Sequence, residues 1–249
     1  METGKLAVVT GSSSGIGEAV ANHLAEGGWQ VLGIARREGT ISHPAYRHHC
    51  LDLSDTAAVE GYFLNGFTQA YPARGLERVA LVNNAGMLDP MATVPNMPMS
   101  ALMTAFTVNT VVPMWLMGFF LRTYAGVALR IVNLSSGAAN NSRPGWAAYC
   151  ATKAALQMAG RVFGEEVESG YPSGIGENAG VLTYEPGLVD TAMQTRIRQT
   201  PEEEFPVVRR FIDLFEEGKL QAPGKPASVI REFLECDPDS PYREGRISI

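Results

Sequence analysis

A chain of 249 residues with 45% hydrophobic types can bury one substantial core, and that length suits a single α/β domain. A net charge of -6 provides no basic footprint for nucleic acid, so any anion site must be local. Cys50, Cys150 and Cys236 are odd in number, far apart and without a CxxC, which argues against a disulfide framework or a zinc site and fits a reducing compartment. The four histidines form no HExxH, and no metal is expected; His48 and His49, adjacent on a strand, should point to opposite faces.

Short apolar runs alternate with helical patterns along the chain. "KLAVVT" reads as a strand, followed by a helix from Gly15 to Ala25 that ends at Gly27-Gly28. "QVLGIAR" and "HHCLDL" read as the second and third strands, residues 55–71 as helix, and "VALVNNAG" as a buried strand. A long helix over about residues 99–124 precedes the strand "LRIVNLSS"; a helix then opens near Tyr149, and "GVLTYEPG" is a further strand. Near-continuous apolar strands separated by helices predict a parallel sheet covered on both faces, and right-handed crossovers make it a doubly wound Rossmann fold. The whole chain, 1–249, is expected to be one domain. The connection at 169–180 is polar and glycine-rich, a surface loop. The stretch 190–225 inserts between the last two strands, where ligands bind in open α/β sheets, and is expected to form a small helical substrate lid.

The N-terminus shows no secretory pattern. The most apolar stretch, Thr110 to Leu121, is too short for a bilayer and contains Pro113, so it reads as a buried helix. A soluble cytoplasmic protein with no membrane partner is expected.

"TGSSSGIG", Thr10 to Gly17, lies between strand and helix. Gly11 permits a tight turn, and Gly15 and Gly17 permit close approach of backbone, pyrophosphate and helix, whose first N–H groups then face a phosphate. Gly11, Ser13, Ser14, Gly15, Ile16 and Gly17 are the candidate pyrophosphate-binding residues. The spacing is TGxxxGIG rather than GxGxxG, and here the sequence resembles the short-chain dehydrogenase/reductase family over nearly its whole length. Where an acid would select NAD at the end of the second strand, this chain has Ala35, then Arg36 and Arg37. A guanidinium there pairs with a 2′-phosphate, which favours NADPH/NADP+. The resemblance favours Arg36, with Arg37 as the alternative. Basic residues found before the second glycine in many NADPH-using relatives are replaced here by Ser14.

Further roles come from the resemblance. It implies that Asp52 bonds the adenine amino group and that Leu53 lines its pocket. Asn84, Ala85 and Gly86 of "NNAG" would pack beneath the cofactor. Pro186 and Gly187 of "EPGLVDT" would turn the chain under the nicotinamide, with the Val189 backbone and the Thr191 hydroxyl on its carboxamide.

Tyr149 and Lys153 in "YCATKAAL" are i and i+4, neighbours on one helix face. Ser136 lies 13 residues before Tyr149, and Asn109 lies 27 before Ser136. The four match the family's Asn-Ser-Tyr-Lys tetrad in order and spacing. Reducing a ketone needs a hydride from nicotinamide and a proton for the oxygen. A phenol holds its proton tightly, with a pKa near ~10, and an ammonium beside it should lower that value. Tyr149 is the expected general acid. Lys153 is expected to depress its pKa and hold the nicotinamide ribose, and Ser136 to hydrogen-bond the carbonyl oxygen. Asn109, as in the family, would organise a water linking Lys153 to solvent. Ser135 is the alternative to Ser136, and Cys150 receives no catalytic role.

"NAGMLDP", "SSGAANNSRPGWAAYCATKAAL" and "EPGLVDTAMQTRIRQ" resemble the benzil reductase branch, which is similar to the sepiapterin reductases. That likeness implies a small-molecule carbonyl substrate, a diketone or aromatic ketone. Sepiapterin-like reduction of a pteridine side chain, or a non-catalytic NADP(H) sensor, are the alternatives. Met87, Leu188, Met193 and Trp146, with Leu88, Ala138 and Phe211, are candidates for the substrate wall, though several would equally serve as core. The resemblance also suggests a homodimer through the Asn109 and Tyr149 helices, and the lid would equally permit a monomer.

Overall fold

The computed structural model describes residues 4–170, 176, 178–237 and 239–246. Strand β1 (Gly4–Thr10) leads into α1 (Gly15–Glu26), β2 (Gln30–Ala35) and β3 (Tyr46–Cys50). The expected 55–71 helix is α2 (Thr56–Gly61), a π-helical turn over Tyr62–Phe67 and α3 (Thr68–Ala70). Then come β4 (Leu76–Asn83), α4 (Met99–Phe106), a π-helical stretch Thr107–Val111, and α5 (Val112–Thr123). β5 (Ala128–Leu134), α6 (Ala147–Glu168) and β6 (Ala179–Glu185) follow. The remainder holds α7 (Ala192–Arg198), α8 (Val208–Glu216), α9 (Gly224–Glu235) and β7 (Tyr242–Arg246).

The strands form one parallel sheet in the order β3-β2-β1-β4-β5-β6-β7. The order reverses between β1 and β4, so loops leaving their carboxyl ends diverge and open a crevice there. β1, β4 and β5 are buried on both faces because helices cover both, which is why they read as unbroken apolar runs. One face packs against α1 and α9 around Val20, Leu24, Trp29 and Ile230. The other packs against the helices α2 to α6, where Phe63, Phe67, Phe119 and Phe120 meet with centroids 5.0 to 6.2 Å apart. Edge strand β3 sits earlier than "HHCLDL" suggests. Its two histidines do face opposite ways: His48 bonds the Tyr46 hydroxyl at 3.0 Å, while His49 stacks on Tyr62 at 3.8 Å.

The α4–α5 helix runs unbroken over Met99–Thr123, longer than its apolar centre, and by length and composition alone could cross a membrane. Half of its most apolar window is buried inside the protein, the setting of a core helix. Pro113 has no N–H to give the Asn109 carbonyl one turn back, and the turn around Asn109 widens to π geometry. Between β6 and β7, α7 and α8 gather over a third apolar cluster, whereas α9 lies along α1 against the sheet. The stretch 190–225 therefore contains α7 and α8 and ends where α9 begins. The 169–180 connection lies largely outside the described residues.

Phe67 is fully buried among six aromatic rings, remote from the carboxyl ends of the strands. Phe67→Ala should lower unfolding stability by about 3–5 kcal/mol in urea titration, with the mutant's activity at low temperature little changed.

Candidate active site

At the reversal point the ends of β1 and β4 are tied together. Asn84 Nδ2 donates to the carbonyls of Thr10 (2.8 Å) and Gly11 (3.1 Å). Thr10 Oγ1 accepts from the amides of Asn84 and Ala85, both at 3.1 Å, and donates to Val82. Gly11 has φ +68°, and a Cβ there would stand 2.8 Å from Asn84 Nδ2 and 2.9 Å from Ala85 Cα. A Cβ on Gly17 would collide with Asn84 Nδ2 and the Gly11 carbonyl. Glycine at both positions thus has a steric cause. Beneath the loop, the buried Ser12 hydroxyl meets the Tyr46 hydroxyl at 3.1 Å.

The N-terminus of α1 begins at Ser14, which is exposed, extended and makes no side-chain cap. The first-turn N–H groups of this twelve-residue helix are left for an outside acceptor, and the macrodipole favours an anion. Ser13 and Ile16 flank the loop half-buried. Gly15 lies opposite Thr191, whose Cγ2 would be 3.1 Å from a Cβ at that glycine. Two loops far apart in sequence thereby meet.

At the end of β2, Ala35 is buried while Arg36 and Arg37 are exposed. The Asp52 carboxyl is held below the usual carboxylate range, first by the Ser54 amide (2.9 Å) and also by the Ser54 hydroxyl (2.8 Å) and the nearby Arg36. Asp52 does not cap α2; Asp55 does, accepting from the Ala58 amide at 3.0 Å. Leu53 is buried beside them.

Tyr149 and Lys153 both lie on the buried face of α6. Lys153 Nζ donates to the Leu134 carbonyl at 2.6 Å and stands 5.8 Å from the centre of the Tyr149 ring. Ser136 lies just beyond β5, its Oγ accepting from the Ala138 amide at 3.2 Å. Ser135 is buried with its hydroxyl unpartnered among the described residues, whereas the Ser136 hydroxyl is near enough to Tyr149 to pull its pKa down. The π-helical turn presents Asn109 to the loop after β4. Its Oδ1 accepts from the Met87 amide and its Nδ2 donates to the Met87 carbonyl, each at 2.9 Å. Nδ2 also reaches Thr152 Oγ1 at 3.2 Å, and that hydroxyl donates to the Tyr149 carbonyl at 2.9 Å. Gly86 lies between Asn109 and Lys153, since a Cβ there would be 3.6 Å from both Asn109 Oδ1 and Lys153 Nζ.

The i, i+4 spacing predicts a lowered phenol pKa at Tyr149, and the folded chain shows the reverse. Burial pushes Tyr149 up to about 12, with the Ser136 hydrogen bond pulling down and Cys150 pushing up. Burial likewise brings Lys153 down to about 8. Desolvation outweighs the ammonium because both groups lie wholly inside the protein.

After β6, Pro186, Gly187 and Leu188 are partly exposed and Val189 is buried. Gln221 fixes this turn: its amide donates to the Leu188 carbonyl and its carbonyl accepts from the Asp190 amide, both at 2.9 Å, while its side chain reaches the Pro186 carbonyl. Beside Tyr149 stands an apolar cluster of Leu88, Met91, Ala138, Trp146, Phe205 and Phe211. Trp146 stacks on Phe205 at 4.8 Å and meets Tyr149 edge-on at 5.4 Å. Trp146 and Phe211 are core members of this cluster, Met193 packs against it, and Met87 and Leu188 are partly exposed nearby in sequence to its members.

A family profile described as short chain dehydrogenase matches residues 5–202. The chain belongs to the short-chain dehydrogenase family. It is 37% identical over 240 residues to a benzil reductase ((S)-benzoin forming) of Bacillus cereus, covering 92% of this chain and 94% of that protein. It is 30% identical over 261 residues to the sepiapterin reductase of Meriones unguiculatus, covering 95% of each. A solved structure of 4-hydroxyisoleucine dehydrogenase complexed with NADH shares the fold, with a TM-score of 0.77, 19% identity, and 98% and 97% of the two chains covered.

As a member of that family the protein is an oxidoreductase working with a nicotinamide cofactor. The glycine cradle and the uncapped α1 N-terminus fit such a group. Three residues of this short-chain dehydrogenase escaped the sequence reading: Thr10, Thr152 and Phe205. Thr10 could have been noticed as a hydroxyl at a strand's end. Nothing local marks Thr152, an ordinary helical residue, or Phe205, which meets Trp146 only through the fold.

The two shifted groups give stability opposite pH trends. Between pH 8 and its ordinary 10.5, Lys153 sheds a proton in the folded state that the unfolded chain keeps, so its contribution to stability rises with pH. Above pH 10 the unfolded Tyr149 ionises first, and stability falls. The stability of the parent protein relative to Lys153→Met should therefore rise between pH 7.5 and 10, by on the order of 3 kcal/mol at most, in urea titrations at each pH.

Proposed function

We propose that the protein is an NADPH-dependent carbonyl reductase acting on a diketone or aromatic ketone, of the benzil-to-benzoin type. The observation that carries this reading is the placement of Ser136, Tyr149 and Lys153 against an apolar, aromatic cluster closed by α7 and α8. The likeness to benzil reductases supports the substrate class.

In this reading the glycine loop and the α1 N-terminus hold the pyrophosphate. Arg36, with Arg37 beside it, takes the 2′-phosphate, and Asp52 and Leu53 receive the adenine. Asn84 to Gly86, the Pro186–Val189 turn and Thr191 hold the nicotinamide end. Bound there, the reduced nicotinamide supplies the hydride to the carbonyl carbon. Ser136 hydrogen-bonds the carbonyl oxygen. Tyr149 gives that oxygen its hydroxyl proton, and the C=O becomes CH–OH. A phenol raised to about 12 is fully protonated at neutral pH, the form an acid needs for reduction. Lys153 places positive charge near the phenolate that results and faces Asn109 across Gly86, the path for returning a proton from solvent. The segment 190–225 serves as the substrate lid. The reading includes a cytoplasmic location and a homodimer through the exposed apolar residues Met103, Met114, Met158 and Val162 of α4, α5 and α6.

NADPH oxidation should be fast with benzil, slower with an aliphatic diketone, and slow with NADH in place of NADPH. Turnover of sepiapterin faster than benzil would move the assignment to pteridine reduction. Tyr149→Phe should lower kcat on the order of 1,000-fold while the Kd for NADPH changes less than about 3-fold. Arg36→Ala should raise the KM for NADPH about 10- to 100-fold and leave that for NADH unchanged. An equal change for both cofactors would remove the phosphate role from Arg36.

A further inference from the structure

Helix α7 carries a polar group that the fold does not satisfy. Gln194 is 8% exposed, and its Oε1 is buried with no hydrogen-bond partner among the described residues. Elsewhere in the segment, Thr200 donates to the Arg196 carbonyl at 2.9 Å, and Arg198, whose Nη1 is also buried without a partner among the described residues, still uses its guanidinium on Thr195 Oγ1 at 3.3 Å and the Phe215 ring at 4.0 Å. Buried amides in folded proteins are hydrogen-bonded as a rule, because an orphaned one forfeits its hydration for nothing. One kept in a site's wall has a ligand as its natural partner.

The placement of Gln194 says which ligand atom. α7 is entered through Thr191, its N-cap residue, which lies against Gly15 of the glycine loop. One turn in, Gln194 shares a buried helix face with Ile197, three residues on. Ile197 packs in the cluster with Tyr149, Trp146 and Phe205, and Met193 packs against it. Gln194 therefore sits on α7 between Thr191, which lies beside the glycine loop, and Ile197, which packs in the cluster with Tyr149.

We propose that Gln194 holds the second oxygen of the substrate, the one on the carbon next to the carbonyl being reduced; this rests on the diketone reading above. A glutamine amide offers donors and an acceptor in one plane, and a half-turn of its last torsion exchanges them. Its N–H suits the spectator carbonyl of a vicinal diketone, and its oxygen suits the hydroxyl of an α-hydroxy ketone. With one oxygen on Ser136 and Tyr149, the second on Gln194 and a ring against Trp146, the ketone is fixed at three points. Three points decide which carbonyl face meets the hydride.

The test uses benzil and deoxybenzoin, which has the same two rings but a methylene in place of the second carbonyl. Gln194→Met keeps the length of the side chain and removes both hydrogen-bonding ends; Gln194→Leu is run beside it, with thermal unfolding of each. The kcat/KM for benzil should fall about 10- to 100-fold, and that for deoxybenzoin should change less than about 3-fold. The enantiomeric excess of the benzoin formed should drop, and the Tm should hold or rise because an orphaned group has gone. Equal losses on both ketones would reduce Gln194 to lid packing and overturn the proposal, as would an unchanged rate on benzil. Parent protein that binds NADPH yet reduces neither ketone would overturn the diketone reading itself, and this assignment with it.

Discussion

The side chain of Asn84 is the tie on which the site depends. At the sheet's reversal point the loops after β1 and β4 leave in opposite directions, and the parallel ladder between the strands stops at Val9 and Val82, short of those loops. Asn84 ties them by bonding the carbonyls of Thr10 and Gly11, and Thr10 returns the contact through the amides of Asn84 and Ala85. The closeness of that contact is what excludes a Cβ at Gly11 and Gly17. The same loop continues to Met87, whose backbone is bonded twice by Asn109. Asn109 reaches Thr152, and Thr152 reaches the Tyr149 carbonyl. Hydrogen bonds and the short backbone stretch from Asn84 to Met87 thus link the glycine loop to the helix that carries the proposed acid, and hold both in one frame.

Within that frame, burial rather than charge sets the protonation of the central pair. An ammonium 5.8 Å from the phenol ring would favour the phenolate, but both groups have lost their water. Desolvation penalises each charged form, so the phenol rises and the ammonium falls. The Leu134 carbonyl also engages Lys153 Nζ, orienting it from the strand side. The result is an acid that keeps its proton until a stronger base, such as a forming alkoxide, lies against it. That arrangement suits reduction.

Sequence patterns reveal the parts of this design that depend on local chemistry. Doubly buried strands read as apolar runs, the glycine loop reads from its spacing, and Tyr149 and Lys153 read from helical periodicity. Asn109, Ser136, Tyr149 and Lys153 are visible through their residue types and their order and spacing along the chain. Properties that arise only in three dimensions are not visible. The π-helical turn that aims Asn109 leaves no periodic trace beyond Pro113, β3 is short of apolar residues and shifts in register, and the pKa of Tyr149 reflects depth of burial. Trp146 shows both sides of this. Its nearness to Tyr149 follows from a spacing of three on or next to a helix, but its stacking on Phe205 comes from a segment almost sixty residues away.

That stack also bears on how α7 and α8 are held over the site. The ion pair between Arg196 and Asp89 links α7 to the loop after β4 at 3.1 Å, yet both side chains are about half exposed. Water and salt screen such a pair, which is worth about 1 kcal/mol or less. Phe205 and Phe211, by contrast, are buried against Trp146 with centroids 4.8 and 5.3 Å away. Burying aromatic side chains contributes about 1.5–3 kcal/mol each, so the cluster, not the ion pair, holds the segment down. In the proposed reading the same rings form the substrate's wall. An aromatic ketone would then add area to the contact that closes the site around it, and an aliphatic one of equal polarity would add less. Selectivity for aromatic substrates and closure of the segment would share one source of free energy.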